Sequence, residues 1–477
     1  MTSSSAAIPI TRYERVDDAL DVAIDRATAT RPIGGNQLHH YADSPRALEA
    51  MLQLVAGATR WVHFENYIIR DDHIGTRFAE ALAERARAGV RVRVLYDALG
   101  SLGTSRRYWQ RLRQAGAEVR AFRPLLTSRV LELGSRDHRK LVVVDGVRAM
   151  LGGLCIGDEW AGDPARSRRP WRDTMATVIG PAAVAFDRAF ARVWERIGAP
   201  LPPDELEPDP PEAGTSTVRA IAGSPGRARM YRAVELLAAS ARHRLWITDA
   251  YLIAPPLLLA TIVDAARSGV DVRLLVPGTS DLPVLRDFTR GGYRDLLRAG
   301  VRIFEWQGPM LHAKTLLVDH HWSRVGSSNL NLSSLLGNYE LDLLVECDTL
   351  AGELGRQFLH DLASSREIVL RARRRPLPAR LVGAPGPEAT AHPEPRHLRS
   401  GYEMGATAVV VLQRLVGGAR RTVAGTATVV LLVAAGLLLA FPRVMSIVLA
   451  AGACVLAMGT GLYAIERRRS LEADDSG

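Results

Sequence analysis

Apolar positions along this chain alternate between two periods. Short runs rich in β-branched residues, such as Leu141-Val-Val-Val144 and Thr315-Leu-Leu-Val318, read as buried strands. Between such runs the apolar positions recur at helical spacing. Ile74, Phe78, Leu82 and Ala86 form one stripe, and Gly89 stands where that helix would stop. The order strand, amphipathic helix, glycine, strand, helix, glycine, strand, final apolar strand occurs twice. Helices alternating with strands predict a sheet covered by helices, hence an α/β fold.

The repetition extends to the residues themselves. Arg60-Trp-Val-His-Phe-Glu65-Asn-Tyr67 parallels Arg244-Leu-Trp-Ile-Thr-Asp249-Ala-Tyr251, and Ala88-Gly89-Val90 parallels Ser268-Gly269-Val270. A period this long indicates a duplicated domain rather than a solenoid. The expected organisation is an N-terminal extension (1–32), a first repeat (33–199), a proline-rich acidic linker (200–216), a second repeat (217–372), and a second proline-rich linker with a juxtamembrane segment (373–421). A membrane hairpin (422–465) and a tail that begins with arginines (466–477) complete it.

The hairpin follows from hydropathy. Thr422–Phe441 and Val444–Ile465 contain no charged residue, and helices of those lengths would span roughly 30 Å, the thickness of the hydrocarbon core. Pro442-Arg443 separates them, so two transmembrane helices are expected. Arg420-Arg421 precede the first and Arg467-Arg468-Arg469 follow the second. The positive-inside rule then places both ends, and the repeats with them, on the cytoplasmic face of a multi-pass membrane protein.

Composition narrows the partner. A formal charge of +10 and a pI near 9.9 suit an anionic partner, either lipid headgroups or nucleic acid. Cys155, Cys347 and Cys454 form no pair at metal or redox spacing, so a reducing compartment is expected. His39-His40 and His320-His321 are expected in exposed loops or turns.

The candidate chemistry lies in one phrase used twice. His138-Arg-Lys140-Leu-Val-Val-Val-Asp145 returns as His312-Ala-Lys314-Thr-Leu-Leu-Val-Asp319, and Gly152-Gly153 or Gly326-Ser327 follows. Side chains alternate along a strand, so each histidine shares a face with its lysine. An imidazole beside an ammonium suits a phosphate: one group for bond making and proton transfer, one fixed charge for the anion. Two such pairs supply a nucleophile, an acid and charge neutralisation without a metal or cofactor. Asp145 and Asp319 close their strands and read as turn supports, and Asp145-Gly146 is a hairpin signal. Glu65 and Asp249 line the site or merely end their strands; the residues leave both readings open.

The doubled His-x-Lys-x4-Asp motif resembles the phospholipase D superfamily. The flanking phrases Phe64-Glu-Asn-Tyr67, Ile156-Gly-Asp-Glu-Trp160, Trp171-Arg-Asp-Thr174, Met310-Leu-His-Ala-Lys314 and Gly326-Ser-Ser-Asn329 resemble its bacterial cardiolipin synthases. The resemblance covers about residues 33–370. It implies two pseudo-symmetric sheets flanked by helices, with both motifs in one pocket. It also implies a phospholipid substrate, phosphatidylglycerol, joined in pairs to give cardiolipin and glycerol at a bilayer, with no nucleic acid. Hydrolysis of the same bond type, by a phospholipase D or a nuclease, is the alternative enzyme reading; a lipid-binding pseudoenzyme is a third. In the resembled family the membrane helices usually precede the catalytic region, whereas here they follow it.

The same resemblance assigns roles. His138 would be the nucleophile and His312 the acid and base; Lys140 and Lys314 would hold the phosphate. Asp173 and Glu340 would orient the histidines, with Gly153, Ser327 and Asn329 supporting the phosphate pocket. Where the second repeat carries Asn329, the first carries Cys155 in place of the family's usual asparagine. The two half-sites are therefore expected to be unequal.

Overall fold

The computed structural model describes residues 16–124, 135–206 and 208–370. The first repeat supplies strands β1 (Ile33–Tyr41), β2 (Trp61–Asn66), β3 (Arg91–Asp97), β4 (Glu118–Phe122), β5 (Lys140–Val144), β6 (Arg148–Gly152) and β7 (Met175–Ile179). The second supplies β8 (Ser216–Gly223), β9 (Arg244–Thr248), β10 (Asp271–Pro277), β11 (Arg302–Trp306), β12 (Thr315–Val318), β13 (Trp322–Gly326) and β14 (Glu340–Glu346), with β15 (Ser365–Ile368) added at its edge.

The strand order is β15-β11-β10-β9-β12-β13-β14-β8-β1-β7-β6-β5-β2-β3-β4. It reads the same outward from its middle: each strand of one half has a counterpart in the other, with β15 as the extra. The expectation of two separate sheets is thus corrected. β1 and β8 pair antiparallel, Ile33 with Val218 and Asn36 with Ser216, and fuse the halves into one sheet. The physical reason is edge satisfaction: each half would otherwise expose a row of unpaired backbone groups at β1 or β8.

Alternation along the strands sorts side chains into three cores. Leu141, Val143, Leu151 and Val178 of the first half meet Leu317, Val325, Leu341 and Leu343 of the second in a shared core, with Phe186 and Phe190 from helix Ala183–Trp194 and Leu354 from helix Asp348–Ala363. The opposite face of the first half packs under helices Ser44–Ala56 and His73–Arg87; that of the second half packs under Arg229–Ser240 and Pro256–Arg267. The stripe of Ile74, Phe78 and Leu82 is buried, and Gly89 follows its helix at φ +87, with Gly269 at φ +91 in the matching place. Only a residue without Cβ takes that conformation without strain.

Two loop expectations change. His39 and His40 lie within β1, paired with Thr177 and Ala176 of β7, because β1 is needed as the junction strand. His320 sits in a turn as expected. Within the proline-rich linker, Pro203–Glu205 forms a 3-10 turn that delivers Glu205 into the first repeat. Its carboxylate meets His63 Nε2 at 3.0 Å and Arg93 Nη1 at 2.6 Å, and His63 Nδ1 lies 2.7 Å from Asp187. Among the described residues no helix is long and apolar enough to cross a membrane. The expected hairpin, residues 422–465, lies outside the described residues.

Candidate active site

Each motif histidine lies two residues before its lysine, where Lys140 opens β5 and Lys314 immediately precedes β12, and both histidines are pinned by the other repeat. The backbone N–H of His138 donates to Tyr339 O at 2.9 Å, and that of His312 donates to Arg172 O at 2.7 Å. Each acceptor immediately precedes a carboxylate in sequence. The result is an exchange between halves. Nδ1 of His138 lies 3.0 Å from both oxygens of Glu340, while Nδ1 of His312 lies 2.7 Å from Oδ2 of Asp173. The carboxylates are therefore crossed: each serves the motif of the other repeat. Nδ1 of both rings is thus committed to a carboxylate, which turns Nε2 to the other side of each ring.

Each carboxylate is itself held. Ser327 Oγ donates to Glu340 Oε2 at 2.5 Å. Asp173 Oδ2 also accepts from Trp160 Nε1 at 2.9 Å, and its Oδ1 accepts from Thr174 N–H at 2.8 Å. Gly153, the counterpart of Ser327, approaches Asp173 so closely that a Cβ there would overlap Oδ1. The half-sites thus use the same position differently, as a hydroxyl that bonds the carboxylate in one and as a missing side chain whose place the carboxylate takes in the other.

Lys140 Nζ donates to its own His138 O at 2.5 Å, and Lys314 bonds His312 O in the same way. Tyr67 and Tyr251 complete the symmetry. Tyr67 sets its ring edge to His138, with centroids 4.9 Å apart and Lys140 Nζ 5.1 Å from its face. Tyr251 lies 6.0 Å from both the His312 centroid and Lys314 Nζ.

The charged groups of the two half-sites act on one another. Burial pushes Lys314 down to about 8, opposed by Asp173 and reinforced by Lys140 of the other repeat. Burial, then the Lys314 charge, pushes His312 down to about 4 against the pull of Asp173. Burial also lowers His138, against Glu340. Although burial favours the neutral acid, His312 and Lys314 hold Asp173 at about 2, and His138 and Lys140 hold Glu340 below its ordinary range. At neutral pH the carboxylates carry the charge and the imidazoles are neutral, each with a lone pair on Nε2.

The remaining candidates divide. Asp145 accepts from the backbone N–H groups of Thr59, Arg60 and Trp61, and Asp319 from those of Arg242, His243 and Arg244. Both lie at the far end of the strand from the lysine, where they hold the entry to a neighbouring strand. Asp145 at φ +56 and Gly146 at φ +69 form the tight turn. Glu65 is opposite Leu141 and so faces away from Lys140, into a buried group with Asp137 and Arg139. Burial and the Asp137 charge raise Glu65 well above the carboxylate range. Asp249 accepts from Tyr251 N–H at 2.9 Å and Leu330 N–H at 2.8 Å, which fixes the loop bearing Asn329. Sequence reasoning left Trp160, Tyr67 and Tyr251 without roles, although each stands in a quoted phrase. For the two tyrosines the signal was an aromatic residue two positions after an acidic one in each repeat, whereas Trp160 has no such counterpart.

Comparison with known proteins identifies this arrangement. The family described as "Cardiolipin synthase, PLD-like domain" matches residues 51–158 and 235–362, one segment in each repeat. The chain is 34% identical over 358 residues to cardiolipin synthase A of Pseudomonas aeruginosa, covering 74% of this chain and 72% of that protein. It belongs to the cardiolipin synthase family. Cardiolipin synthase of Halalkalibacterium halodurans is 34% identical over 333 residues, covering 68% of this chain and 66% of the relative. The phosphatidylserine synthase of Haemophilus influenzae Rd KW20 has the same fold, with a TM-score of 0.58 at 14% identity over 73% of this chain and 92% of that one. This cardiolipin synthase-like chain is a phosphatidyltransferase of the phospholipase D superfamily, acting on phospholipid.

Proposed function

We propose that the two motifs form one site that moves a phosphatidyl group from one phosphatidylglycerol to the terminal hydroxyl of another, giving cardiolipin and glycerol. His138 Nε2 attacks phosphorus and the P–O bond to the glycerol headgroup breaks. His312, protonated once the anionic diester has raised its proton affinity, gives that proton to the leaving oxygen. The phosphorus is then joined to His138. Neutral His312 takes the proton from the second lipid's hydroxyl, that oxygen attacks phosphorus, and the P–N bond breaks. Lys140 and Lys314 offset the negative charge that builds on the phosphate oxygens. Asp173 and Glu340 fix tautomer and orientation.

The observation that carries this reading is the crossed pair, His138 with Glu340 and His312 with Asp173, in which each carboxylate holds Nδ1 and leaves Nε2 of both rings for chemistry. Its test is turnover on phosphatidylglycerol in detergent, scoring cardiolipin plus glycerol against phosphatidic acid plus glycerol. His138→Ala and His312→Ala should each nearly abolish product while the fold persists, and chelators should leave the rate unchanged. Phosphatidyl adduct on His138, seen by mass spectrometry after acid-free quenching, is expected from the wild type. An adduct on His312 instead would reverse the two roles.

A bilayer is the proposed partner. Supporting it, Leu102 is 67% exposed in the loop after β3, where Ser101 Oγ donates to Tyr67 O, and Leu282 is 47% exposed beside Asp281, which accepts from the Tyr251 hydroxyl. Exposed leucines beside both site tyrosines suit a lipid surface. The repeats 33–199 and 217–372 form the catalytic pair in this proposal, and residues 422–465 anchor it from the cytoplasmic side.

A further inference from the structure

The two repeats each carry one side-chain amide in the half-site, but at different positions. Asn329 of the second repeat corresponds to Cys155 of the first, at the same distance beyond the motif histidine. Asn66 of the first repeat corresponds to Ala250 of the second, in Phe-Glu-Asn-Tyr against Thr-Asp-Ala-Tyr. We infer that Asn66 replaces the amide missing at Cys155, and that its Nδ2 donates to a non-bridging oxygen of the lipid phosphate beside Lys140.

Placement supports the exchange. Asn66 ends β2 directly opposite Lys140 of β5, so the two side chains leave the same face of the sheet. Its Nδ2 lies 3.4 Å from the carbonyl of Leu154, the residue before Cys155, which puts the amide beside the backbone that leads into the cysteine. Tyr67, the next residue, sets its ring against His138. Asn66 is therefore bracketed by the lysine, the cysteine and the tyrosine of the first half-site.

Unmet hydrogen-bonding capacity indicates a ligand. Asn66 is 1% exposed and Asn329 is 4% exposed. In both, Oδ1 is buried with no hydrogen-bond partner, and Nδ2 makes a single long contact: 3.4 Å to Leu154 O for Asn66, 3.5 Å to Ser334 Oγ for Asn329. An amide offers two donors and one acceptor with two lone pairs, and a buried one is normally satisfied. Oδ1 only accepts and so does not bear on an anion, but each Nδ2 has a second N–H beyond its one long contact, and a donor left over beside the motif lysine at exchanged positions in the two halves suits a phosphate oxygen. Cys155 cannot take this part, because a thiol is a weak donor.

The inference rests on the proposed phosphatidyl transfer, so two substrates are needed to separate the claims. Cardiolipin formation is measured on phosphatidylglycerol in mixed micelles, and hydrolysis on bis(4-nitrophenyl) phosphate, which carries no lipid. Asn66→Ala is expected to lower kcat by about 10- to 100-fold on both substrates, the loss of one hydrogen bond to a charged group. Asn66→Ala with Cys155→Asn is expected to recover at least about tenfold, because the second change restores an amide at the position Asn329 occupies in the other half. A merely structural asparagine would show in thermal stability and would not be rescued from position 155. The proposal is overturned if Asn66→Ala stays within about twofold of the wild type, or if a folded double variant recovers nothing. Cys155→Asn alone provides the check should Asn66→Ala fold poorly: its rate is expected not to exceed the wild type, and a clear gain would mean that Asn66 leaves the gap unfilled. If the wild type makes no cardiolipin from phosphatidylglycerol, the lipid reading fails, and the nitrophenyl diester still decides the role of Asn66.

Discussion

Nδ1 of His138 lies 3.0 Å from both carboxylate oxygens of Glu340, a residue 202 positions later in the chain. The first motif is thus incomplete without the second repeat, and the reverse holds for His312 and Asp173. Neither repeat holds a complete, oriented histidine by itself, and this explains why the junction β1–β8 and the shared core matter to chemistry as well as to stability.

Glu340→Gln should keep the fold and lower kcat by about 10²–10⁴-fold, because the amide can offer His138 an N–H and favour the wrong tautomer. Ser327→Ala, which removes only the hydroxyl holding Glu340, should cost about tenfold or somewhat more. Steady-state rates on phosphatidylglycerol with unchanged circular dichroism check both. An equal loss in the two variants would show that Ser327 does more than hold Glu340.

Gly153→Ala should inactivate far more than its size suggests. The added Cβ would overlap Oδ1 of Asp173 and push the carboxylate off His312. We expect a fall in kcat of more than about tenfold with only a modest change in substrate KM. Full activity in this variant would show that Asp173 can move without cost.

The buried His63 predicts a pH dependence of stability. Burial opposes its charge, but hydrogen bonds donated to Asp187 and Glu205 raise it above its ordinary value, with Arg93 and Arg91 paired to Glu205 on the outer side. Its contribution is fully present below the unfolded value of about 6.5 and is lost as pH rises through the higher folded value. The melting-temperature difference between wild type and His63→Leu should therefore narrow between about pH 6 and about pH 9. A difference that stays flat or widens over that range contradicts a charged imidazole at this position.

The membrane hairpin proposed from the sequence of residues 422–465 predicts a topology. A reporter fused after Gly477 should be active only in its cytoplasmic form, and a cysteine placed at Pro442 should react with an impermeant reagent from outside the cell. An external C-terminus would invalidate the orientation deduced from the arginine clusters.

The sequence by itself determined the α/β class, the duplication, the glycine-stopped helices and both His-x-Lys pairs. These are short-range properties: periodicity, turn chemistry and identity at matched spacing, all carried by neighbouring residues. Asp173 and Glu340 were singled out through the family resemblance, which implied histidine-orienting carboxylates at those positions. Only the tertiary structure decided which histidine each carboxylate holds, since backbone pairing of His138 with Tyr339 and of His312 with Arg172 joins segments more than a hundred residues apart. It likewise decided that Glu65 faces the core and Asn66 the site. The two are adjacent in sequence, and which face each takes depends on the register of β2 against β5, which puts Asn66 opposite Lys140. Register is set by packing of the whole sheet, and no local pattern in β2 records it.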